Sequence, residues 1–323
     1  MTISISVFAL TLLLTLLIER KILPILSRRA KQPIYDEGPY WHMSKSGTPT
    51  MGGIAFVAAI LLTLLFSAFA LMFSNLNAHG TSLLITLVFS LGNALIGLFD
   101  DLMKLYRKKN GGLTPIQKII LQSLMAVLFL MARYYFLEDS TVVVTPFLSF
   151  DLGLLYYPMA MIVLLGIVNC ANLTDGIDGL ATSVAITIGG IFLLLGSGLS
   201  SEISIVSTAI IGGGIGFLLF NAHPAKIFMG DTGSLFLGAL IVSLAFSAKN
   251  PLIIIIVGAV YVIEGVSVIL QVAYYKITKK RLLKMAPMHH HLEKCGLDEN
   301  RICVLAVIVT LLASSLILLL RGI

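Results

Sequence analysis

Charged side chains are scarce in this sequence: Asp, Glu, Lys and Arg make up 12% of the 323 residues, while 58% are hydrophobic. A soluble protein carries about a quarter charged residues, so this composition excludes an ordinary soluble domain. Long apolar runs recur instead, at the length of about 20 residues that an α-helix needs to cross a bilayer. Backbone groups in lipid must bond to one another, and the runs are too continuous for alternating barrel strands. The sequence therefore predicts an all-α, polytopic integral membrane protein.

Cysteines and N-terminal basic residues are also few. The cysteines are Cys170, Cys295 and Cys303. Because Cys170 and Cys295 fall on the side predicted to be reducing, we expect no disulfide framework, and we expect all three to be small buried side chains. Residues 1–10 contain no basic segment, and no small-residue cleavage site follows. We therefore expect the first helix to remain in the mature protein.

About ten membrane spans are predicted. They lie at about residues 3–24, 51–73, 81–99, 116–136, 154–172, 179–196, 203–220, 234–249, 251–275 and 302–320. No soluble domain or internal repeat is apparent, so residues 1–323 are predicted to form one transmembrane domain. The glycine runs at 189–190 and 212–214 indicate close helix packing.

Lys and Arg are distributed unevenly over the connecting loops. Of the 22 basic residues, only Arg133, Lys249 and Arg321 fall on one side of the predicted membrane. The rest lie in or near the loops at about residues 25–50, 100–115, 169–178, 221–233 and 276–301. This asymmetry predicts that the basic side is cytoplasmic, with its loops available for catalysis, and that both termini face outward. The net charge of +6 then reflects topology and anionic lipid, and does not indicate nucleic acid binding.

Most acidic residues fall on the predicted cytoplasmic side. Asp100 and Asp101 follow an apolar run directly, and two adjacent carboxylates at such a position need a reason or a cation. Four acids on the outer side are expected to be solvated loop charges: Glu138, Asp139, Asp151 and Glu202.

A second acidic motif runs from Asn169 to Leu180. Asn169 and Asn172 are three residues apart, as are Asp175 and Asp178, and this spacing places each pair on one helical face. A glycine follows each acid and allows close approach by a ligand. A capped turn would explain one Asp, but it fits two amides and two acids poorly.

A third motif runs from Asn221 to Ser234. Asp231 begins the next span, where it is either an N-cap or a ligand. Phe228 is either an interfacial anchor or a surface on which a base stacks. Both pairs of interpretations stay open at this point.

Two weaker signals flank these motifs. One signal is a run of three adjacent histidines, His289, His290 and His291. On a helix these side chains would point about 100° apart, so at most two can serve one site. A polar cluster in a loop explains the run equally well. The segment from Ser44 to Ile54 offers Lys45, Thr50 and two glycines where a span begins, a pattern that suits an anion.

The motifs together indicate one chemistry. Oxygen ligands without cysteine favour a hard cation, Mg²⁺ or Mn²⁺. Lysines suited to phosphate oxygens lie close by in the sequence, at Lys45, Lys104, Lys118 and Lys226. An aromatic side chain among them suggests a nucleoside diphosphate substrate, and the membrane setting suggests a lipid as the second substrate.

Five segments resemble one family in content and order: SGTPTMGG, FDD, NLTDGIDGL, NAHPAKIFMGDTGS and PMHHHLEKCG. The chain resembles the phospho-N-acetylmuramoyl-pentapeptide transferases, a branch of the polyprenyl-phosphate N-acetylhexosamine-1-phosphate transferases. The resemblance implies ten spans, Mg²⁺ dependence and a possible homodimer. It implies that undecaprenyl phosphate attacks the β-phosphate of UDP-N-acetylmuramoyl-pentapeptide, so that UMP leaves and lipid I forms.

The resemblance also implies roles for individual residues. Asp231 would be the chief metal ligand with Asp101 nearby, and Asp100 would accept a proton from the lipid phosphate or orient it. We favour direct attack over a covalent aspartyl intermediate. The expected substrate-binding residues are Lys45, Thr50, Lys104, Lys118, Asn169, Asn172, Asp175, Asp178, Asn221 and Phe228. His289, His290 and His291 would contact the sugar-phosphate or support the site, and Glu264 would be a structural polar contact inside the bundle.

Two alternatives remain. A sister enzyme that uses UDP-N-acetylglucosamine would share the Asp motifs but should lack PMHHHLE. An ion-coupled transporter would place charges near the midplane of the membrane and repeat one half of its sequence. Neither feature is apparent here.

Overall fold

Long helices account for nearly all of the regular structure in this computed structural model, which describes residues 2–30, 45, 47–107, 111–145, 148–196 and 201–320. The helices are α1 (Thr2–Arg29), α2 (Gly53–Phe73), α3 (Asn77–Arg107), α4 (Pro115–Leu137), α5 (Tyr156–Thr174), α6 (Leu180–Gly196), α7 (Ser201–Asn221), α8 (Gly230–Ser247), α9 (Ile253–Val257), α10 (Ala259–Thr278), α11 (Met288–Lys294) and α12 (Glu299–Leu320). A short antiparallel hairpin, β1 (Val142–Val144) and β2 (Ser149–Asp151), lies between α4 and α5.

The all-α prediction is confirmed. Every predicted span falls on a helix, and within the described ranges eight helices are long and apolar enough to cross a membrane, with α6 a shorter apolar helix. The number of spans and the outward termini stay predictions. The span predicted at 251–275 was wrong in one respect, because the helix is interrupted at Gly258, which separates α9 from α10.

The helix α8 is the centre of the bundle. Its apolar window is 83% buried, against 28% for α4, α10 and α12, whose remaining surfaces are therefore available to lipid. It packs against α2, α3, α5 and α6. A functional group at the start of α8 is consequently surrounded by several other helices.

Glycines set the closest approaches around α8. A Cβ added at Gly97 of α3 would collide with the carbonyl group of Asp231, and one at Gly53 of α2 would lie 2.5 Å from the Cα of Gly233. Close packing is also confirmed for Gly189 and residues 212–214, while a Cβ at Gly190 would meet no heavy atom within 4 Å. Small residues of this kind allow helix backbones to approach within a membrane.

The helix α3 continues two turns beyond the apolar run that predicted it. The sequence had suggested that Asp100 and Asp101 lie at the end of the helix, but both lie inside it. Lys104 forms an ion pair with Asp100 one turn away, at 2.7 Å, and pairs at this spacing stabilise a helix.

One predicted outer charge is not solvated. Glu202 is 4% exposed, and its carboxylate accepts a hydrogen bond from the Ser247 hydroxyl at 2.7 Å. Arg133 binds Asp139 and the carbonyl of Phe246 in the same region. These contacts join α4, α7 and α8, so the expectation of a free loop charge was wrong for Glu202, because a buried carboxylate needs partners.

Gly97→Ala should destabilise the protein by about 1–3 kcal/mol, because the added methyl group must displace the backbone of α8. Thermal unfolding in detergent, followed by intrinsic fluorescence, measures the change. Gly190→Ala is the matched control and should leave the melting temperature unchanged or raise it, since space is open there. Equal effects of the two substitutions would contradict the packing argument.

Candidate functional site

Three carboxylates from α3 and α8 form the first cluster. Asp100, Asp101 and Asp231 each offer an oxygen atom, and these oxygens lie within 4.8 Å of one another. The donors are oxygens only, a set that suits a hard divalent cation. This group therefore fits the metal site that the sequence predicted.

Asp101 caps the start of α8 from a neighbouring helix. Its Oδ1 accepts the N–H of Asp231 at 3.1 Å, and its Oδ2 accepts the N–H and the hydroxyl of Thr232 at 2.9 and 2.7 Å. Gly230 adopts φ +75°, and a Cβ there would lie 2.8 Å from Asp101 Oδ2. Asp101 thus supplies the N-cap, a role that the sequence had left open for Asp231.

Two lysines lie between Asp100 and Asp231. Lys104 Nζ lies 2.7 Å from Asp100 Oδ2 and 3.3 Å from Asp231 Oδ2. Lys118 Nζ lies 3.1 and 2.5 Å from the same two oxygens. Asp100 also accepts the N–H of Leu113 at 2.6 Å and is fully buried, whereas the side chain of Asp231 is 16% exposed. Three acids against two ammonium groups leave an excess of negative charge.

The predicted asparagines separate into two roles. Asn172 donates to Asp231 Oδ1 at 3.2 Å and to Ser234 Oγ at 2.8 Å, so it belongs to the first cluster. The Asn169 amide donates instead to Gln122 Oε1 and to the carbonyl of Leu165, both at 2.8 Å. Asn169 therefore joins α4 to α5, one turn away from Asn172.

A second cluster surrounds Asp178. Lys45 Nζ lies 2.7 Å from both Asp178 Oδ1 and Glu299 Oε2. His223 Nδ1 lies 2.9 Å from Asp178 Oδ2, and the N–H of Ala225 donates to the same oxygen at 3.0 Å. Asp178, His223 and Glu299 are a second set with metal-ligand spacing, but the Lys45 ammonium group already neutralises it in part.

A cavity of about 520 Å³ opens beside this second cluster. Its lining includes both His223 and Glu299, and the remaining walls come from the end of α11 and the loop between α11 and α12. Sequence reasoning missed His223 and Glu299. The histidine lay in a quoted motif without an assigned role, and Glu299 follows the motif PMHHHLEKCG by only a few residues.

Asp175 lies in the turn that ends α5, three residues before Asp178 of the second cluster. Burial raises its pKa well above the usual range for aspartate, and the negative charges of Asp231, Asp101 and Asp178 add to the rise. The sequence predicts that Asp175 shares a site with the acids of α3 and α8, and the effect of the Asp231 and Asp101 charges on its pKa supports this prediction.

Backbone pairing joins the residues before α2 to the third predicted motif. The N–H of Phe228 donates to the carbonyl of Pro49 at 2.8 Å, and the N–H of Gly52 donates to the carbonyl of Phe228 at 2.9 Å. Thr50 is buried in this pairing, and Phe228 is half-buried beside it. Ser44 and Ser46 lie outside the described residues.

Asn221 is buried and ties the loop before α8 to the turn before α6. Its Oδ1 accepts the N–H of Gly179 at 3.1 Å, and its Nδ2 donates to the carbonyl of Ile227 at 3.0 Å. The side chain that was predicted to bind substrate thus holds two loops of the site together.

The three histidines point in different directions, as their helical spacing predicts. His289 is buried, and its Nδ1 lies 3.0 Å from Glu264 Oε2. His290 Nδ1 lies 2.6 Å from a carboxylate oxygen of Glu293 on the same short helix. His291 accepts the N–H of Lys284 at 3.1 Å and so faces a different loop.

Comparison with known proteins gives a consistent result. The model of glycosyl transferase family 4 matches residues 83–249, and signature 1 of the phospho-N-acetylmuramoyl-pentapeptide-transferases matches residues 45–57. The phospho-N-acetylmuramoyl-pentapeptide-transferase of Bacillus subtilis (strain 168) is 42% identical over 98% of this chain and 97% of its own length. The corresponding proteins of Clostridioides difficile (strain 630) and Shouchella clausii (strain KSM-K16) are 41% and 45% identical, over 86% and 84% of this chain and 85% and 83% of their own lengths.

Asp175→Asn should raise the melting temperature of the ligand-free protein more at about pH 8 than at about pH 5. Because the folded state raises the pKa of Asp175, stability falls as the pH rises from about 4 toward that raised pKa. The amide removes this cost of holding a charged carboxylate.

Thermal unfolding in detergent at the two pH values measures the difference. Asp298→Asn, at a side chain that is 55% exposed, controls for the loss of one negative charge. A stabilisation by Asp175→Asn that is the same at both pH values would contradict the argument.

Proposed function

The chain belongs to the phospho-N-acetylmuramoyl-pentapeptide-transferase family, and we propose that it carries out that transfer at the cluster of Asp100, Asp101 and Asp231. The donor would be UDP-N-acetylmuramoyl-pentapeptide and the acceptor undecaprenyl phosphate. A phosphate oxygen of the lipid forms a bond to the β-phosphorus of the nucleotide. The bond from that phosphorus to the bridging oxygen breaks, UMP leaves, and lipid I remains in the membrane.

The observation that carries the proposal is the pair of lysines shared by Asp100 and Asp231. Lys104 and Lys118 each lie within 3.3 Å of both carboxylates. Two ammonium groups held this close together suit the oxygens of a phosphate or diphosphate group. The carboxylates fix the lysines in place before the substrate arrives, so little reorganisation is needed when charge develops.

A bound Mg²⁺ fits the same cluster, because its donor atoms are carboxylate oxygens and its charge is negative in excess. Asp231, whose side chain is the more open, would be the chief ligand, with Asp101 beside it. When bound, the cation would neutralise charge on the diphosphate and on the departing UMP. The three hydrogen bonds that Asp101 accepts from the start of α8 hold Asp231 in position for this task.

Asp100 would orient the lipid phosphate through the two lysines, the second of the two roles that the sequence left open for it. Its complete burial beneath Leu113 and the lysines favours this role over nucleophilic attack. A covalent route would need a carboxylate oxygen to reach the β-phosphorus, and Asp100 has no open side in this structure. We therefore favour direct attack by the lipid phosphate.

The second cluster and the turns beside it would bind the nucleoside end of the donor. Phe228 would stack on the base, since it lies half-buried next to the paired backbone of Pro49 and Gly52. Lys45, held by Asp178 and Glu299, would face the nucleotide's phosphate region. Asn172, which donates to Asp231, and Asp175 would connect this pocket to the reacting phosphates.

The reaction would take place on the cytoplasmic side of the bacterial cytoplasmic membrane, where the sequence places most of its basic residues. Release of UMP from the muramoyl-pentapeptide nucleotide, with polyprenyl phosphate in detergent, tests the function. UDP-N-acetylglucosamine with the same acceptor is the comparison substrate. Faster transfer from UDP-N-acetylglucosamine would favour the sister enzyme, and substrate flux into liposomes without UMP release would favour a transporter.

Asp231→Asn and Asp100→Asn should each lower kcat at least about 100-fold, because each removes a charge that fixes two lysines or a cation at the reacting phosphates. UMP release by purified, correctly inserted protein measures the loss. Glu138→Gln, at an exposed residue that follows the opposite end of α4 from Lys118, should keep full activity. Substantial turnover by either cluster variant would refute the role given to that residue.

Removal of divalent cations by a chelator should lower UMP release at least about 100-fold, and added Mg²⁺ should restore it. Asp231→Asn should require a higher Mg²⁺ concentration for any residual activity, whereas Lys45→Gln should not, because Lys45 lies in the second cluster. Turnover that is unaffected by chelation would remove the metal from the proposal.

A further inference from the structure

Glu299 begins α12 but does not cap it. The neighbouring residue Asp298 is the cap, because its Oδ1 accepts the N–H of Arg301 at 2.9 Å. The side chain of Asp298 is 55% exposed, whereas Glu299 is 8% exposed. The carboxylate of Glu299 is therefore not needed to start the helix, and its contacts lie on other parts of the chain.

The two oxygens of Glu299 reach three separate segments. Oε2 accepts a hydrogen bond from Lys45 Nζ at 2.7 Å and another from the N–H of Asp178 at 2.8 Å. Oε1 lies 3.5 Å from His223 Nδ1. One carboxylate on α12 thus contacts the segment before α2, the turn between α5 and α6, and the loop before α8.

A second side chain of α12 binds the same turn. Cys303 lies four residues after Glu299, on the same face of the helix. Its thiol donates to the carbonyl of Asp178, at a distance of 3.3 Å between sulfur and oxygen. The helix α12 therefore holds Asp178 by both its N–H and its carbonyl group.

The turn between α5 and α6 depends on acceptors from other helices. The N–H of Gly179 donates to Asn221 Oδ1 at 3.1 Å, and the N–H of Asp178 donates to Glu299. Asp178 is 4% exposed, so its N–H would be buried without a partner if the Glu299 oxygen were removed. Loss of that oxygen should displace the turn and, with it, the carboxylate of Asp178.

Lys45 is more open than the two acids that hold it. Its side chain is 17% exposed, while those of Asp178 and Glu299 are 2% and 9% exposed. Both carboxylates lie 2.7 Å from its ammonium group. A lysine side chain is flexible, and one that is held before a ligand arrives loses less freedom on binding.

We propose that Glu299 is a positioning residue for the nucleotide donor: together with Cys303 it holds Asp178 against α12, so that the Asp178 carboxylate and the Lys45 ammonium group keep fixed positions for the nucleoside end. This inference rests on the proposed function, which assigns the nucleoside end to the second cluster. It gives α12 a part in substrate binding that none of the sequence motifs indicated. Because Glu299 acts on binding and not at the reacting phosphates, its loss should raise KM and leave kcat nearly unchanged.

The test compares Glu299→Ala with Glu299→Gln. Ala leaves the N–H of Asp178 without an acceptor and frees Lys45 on one side, so KM for the nucleotide should rise at least about 10-fold while kcat changes less than about 3-fold. Gln keeps an acceptor oxygen of the same reach and should recover most of the affinity. If Glu299 acted only by repelling an anionic substrate, both variants would lower KM, and that result would overturn the inference.

The affinity for UMP is a second measurement, because UMP carries the nucleoside end and binds without turnover. Isothermal titration calorimetry in detergent should show that Glu299→Ala weakens UMP binding by about the same factor as it raises KM. Glu202→Ala is the matched control: it removes another buried carboxylate, at the other end of α7 from Asn221, and should lower the melting temperature without weakening UMP binding. An equal loss of UMP affinity in Glu202→Ala would mean that affinity follows stability, and the inference would fail.

A double-mutant cycle tests the route of the effect. If Glu299 acts through Asp178, the loss of UMP affinity in the double variant Glu299→Ala/Asp178→Ala should be clearly smaller than the product of the two single losses. Fully multiplicative losses would overturn the inference. Unchanged UMP affinity in Glu299→Ala, with normal transfer by the wild-type protein, would refute the inference alone. Wild-type protein that binds UMP but releases none from the nucleotide donor would refute the proposed function.

Discussion

The carboxylate of Asp101, bound to the first backbone N–H groups of α8, is the contact on which the site depends. It joins the inner part of α3 to the central helix through three hydrogen bonds. Hydrogen bonds to a charged group contribute about 1.5–3 kcal/mol each, more than neutral ones. Gly97 and Gly230 leave the space that this approach needs, and the position of Asp231 relative to Asp100 follows from it.

Charge pairing explains why so many ionised groups can lie at the end of an apolar bundle. An isolated carboxylate in this setting would be costly, and each acid of the first cluster has an ammonium group or several N–H donors beside it. The second cluster repeats the arrangement, with Lys45 between Asp178 and Glu299. Because the first cluster remains negative in excess, it attracts a cation while its lysines attract phosphate. Both components of a metal-bound diphosphate therefore find complementary charges within a few ångströms.

The sequence predicted the helical class, the position of every apolar run and the residues of the acidic motifs, because hydropathy and the scarcity of charge act locally. It did not predict which motif residues touch. Asn169 and Asn172 share a helical face in the sequence pattern, yet one binds Gln122 across α4 and the other binds Asp231. Glu299 and Asp178 meet across more than a hundred residues, as do Lys118 and Asp231. Such pairs depend on how the helices pack against one another. That packing is determined by contacts such as those at the glycines, and the spacing of residues in the sequence does not encode it.

Two glutamates show why burial alone does not identify a functional carboxylate. Glu202 and Glu264 are equally buried, and each accepts hydrogen bonds from another helix. The partner of Glu202 is the Ser247 hydroxyl, whose contacts end within the bundle beside Arg133. The partner of Glu264 is His289, whose Nε2 is buried against Gly176. Asp101 is also buried, and its oxygens fix the backbone of α8 at Asp231, whose own side chain is 16% exposed. Rigid placement of this kind reduces the reorganisation needed during phosphoryl transfer.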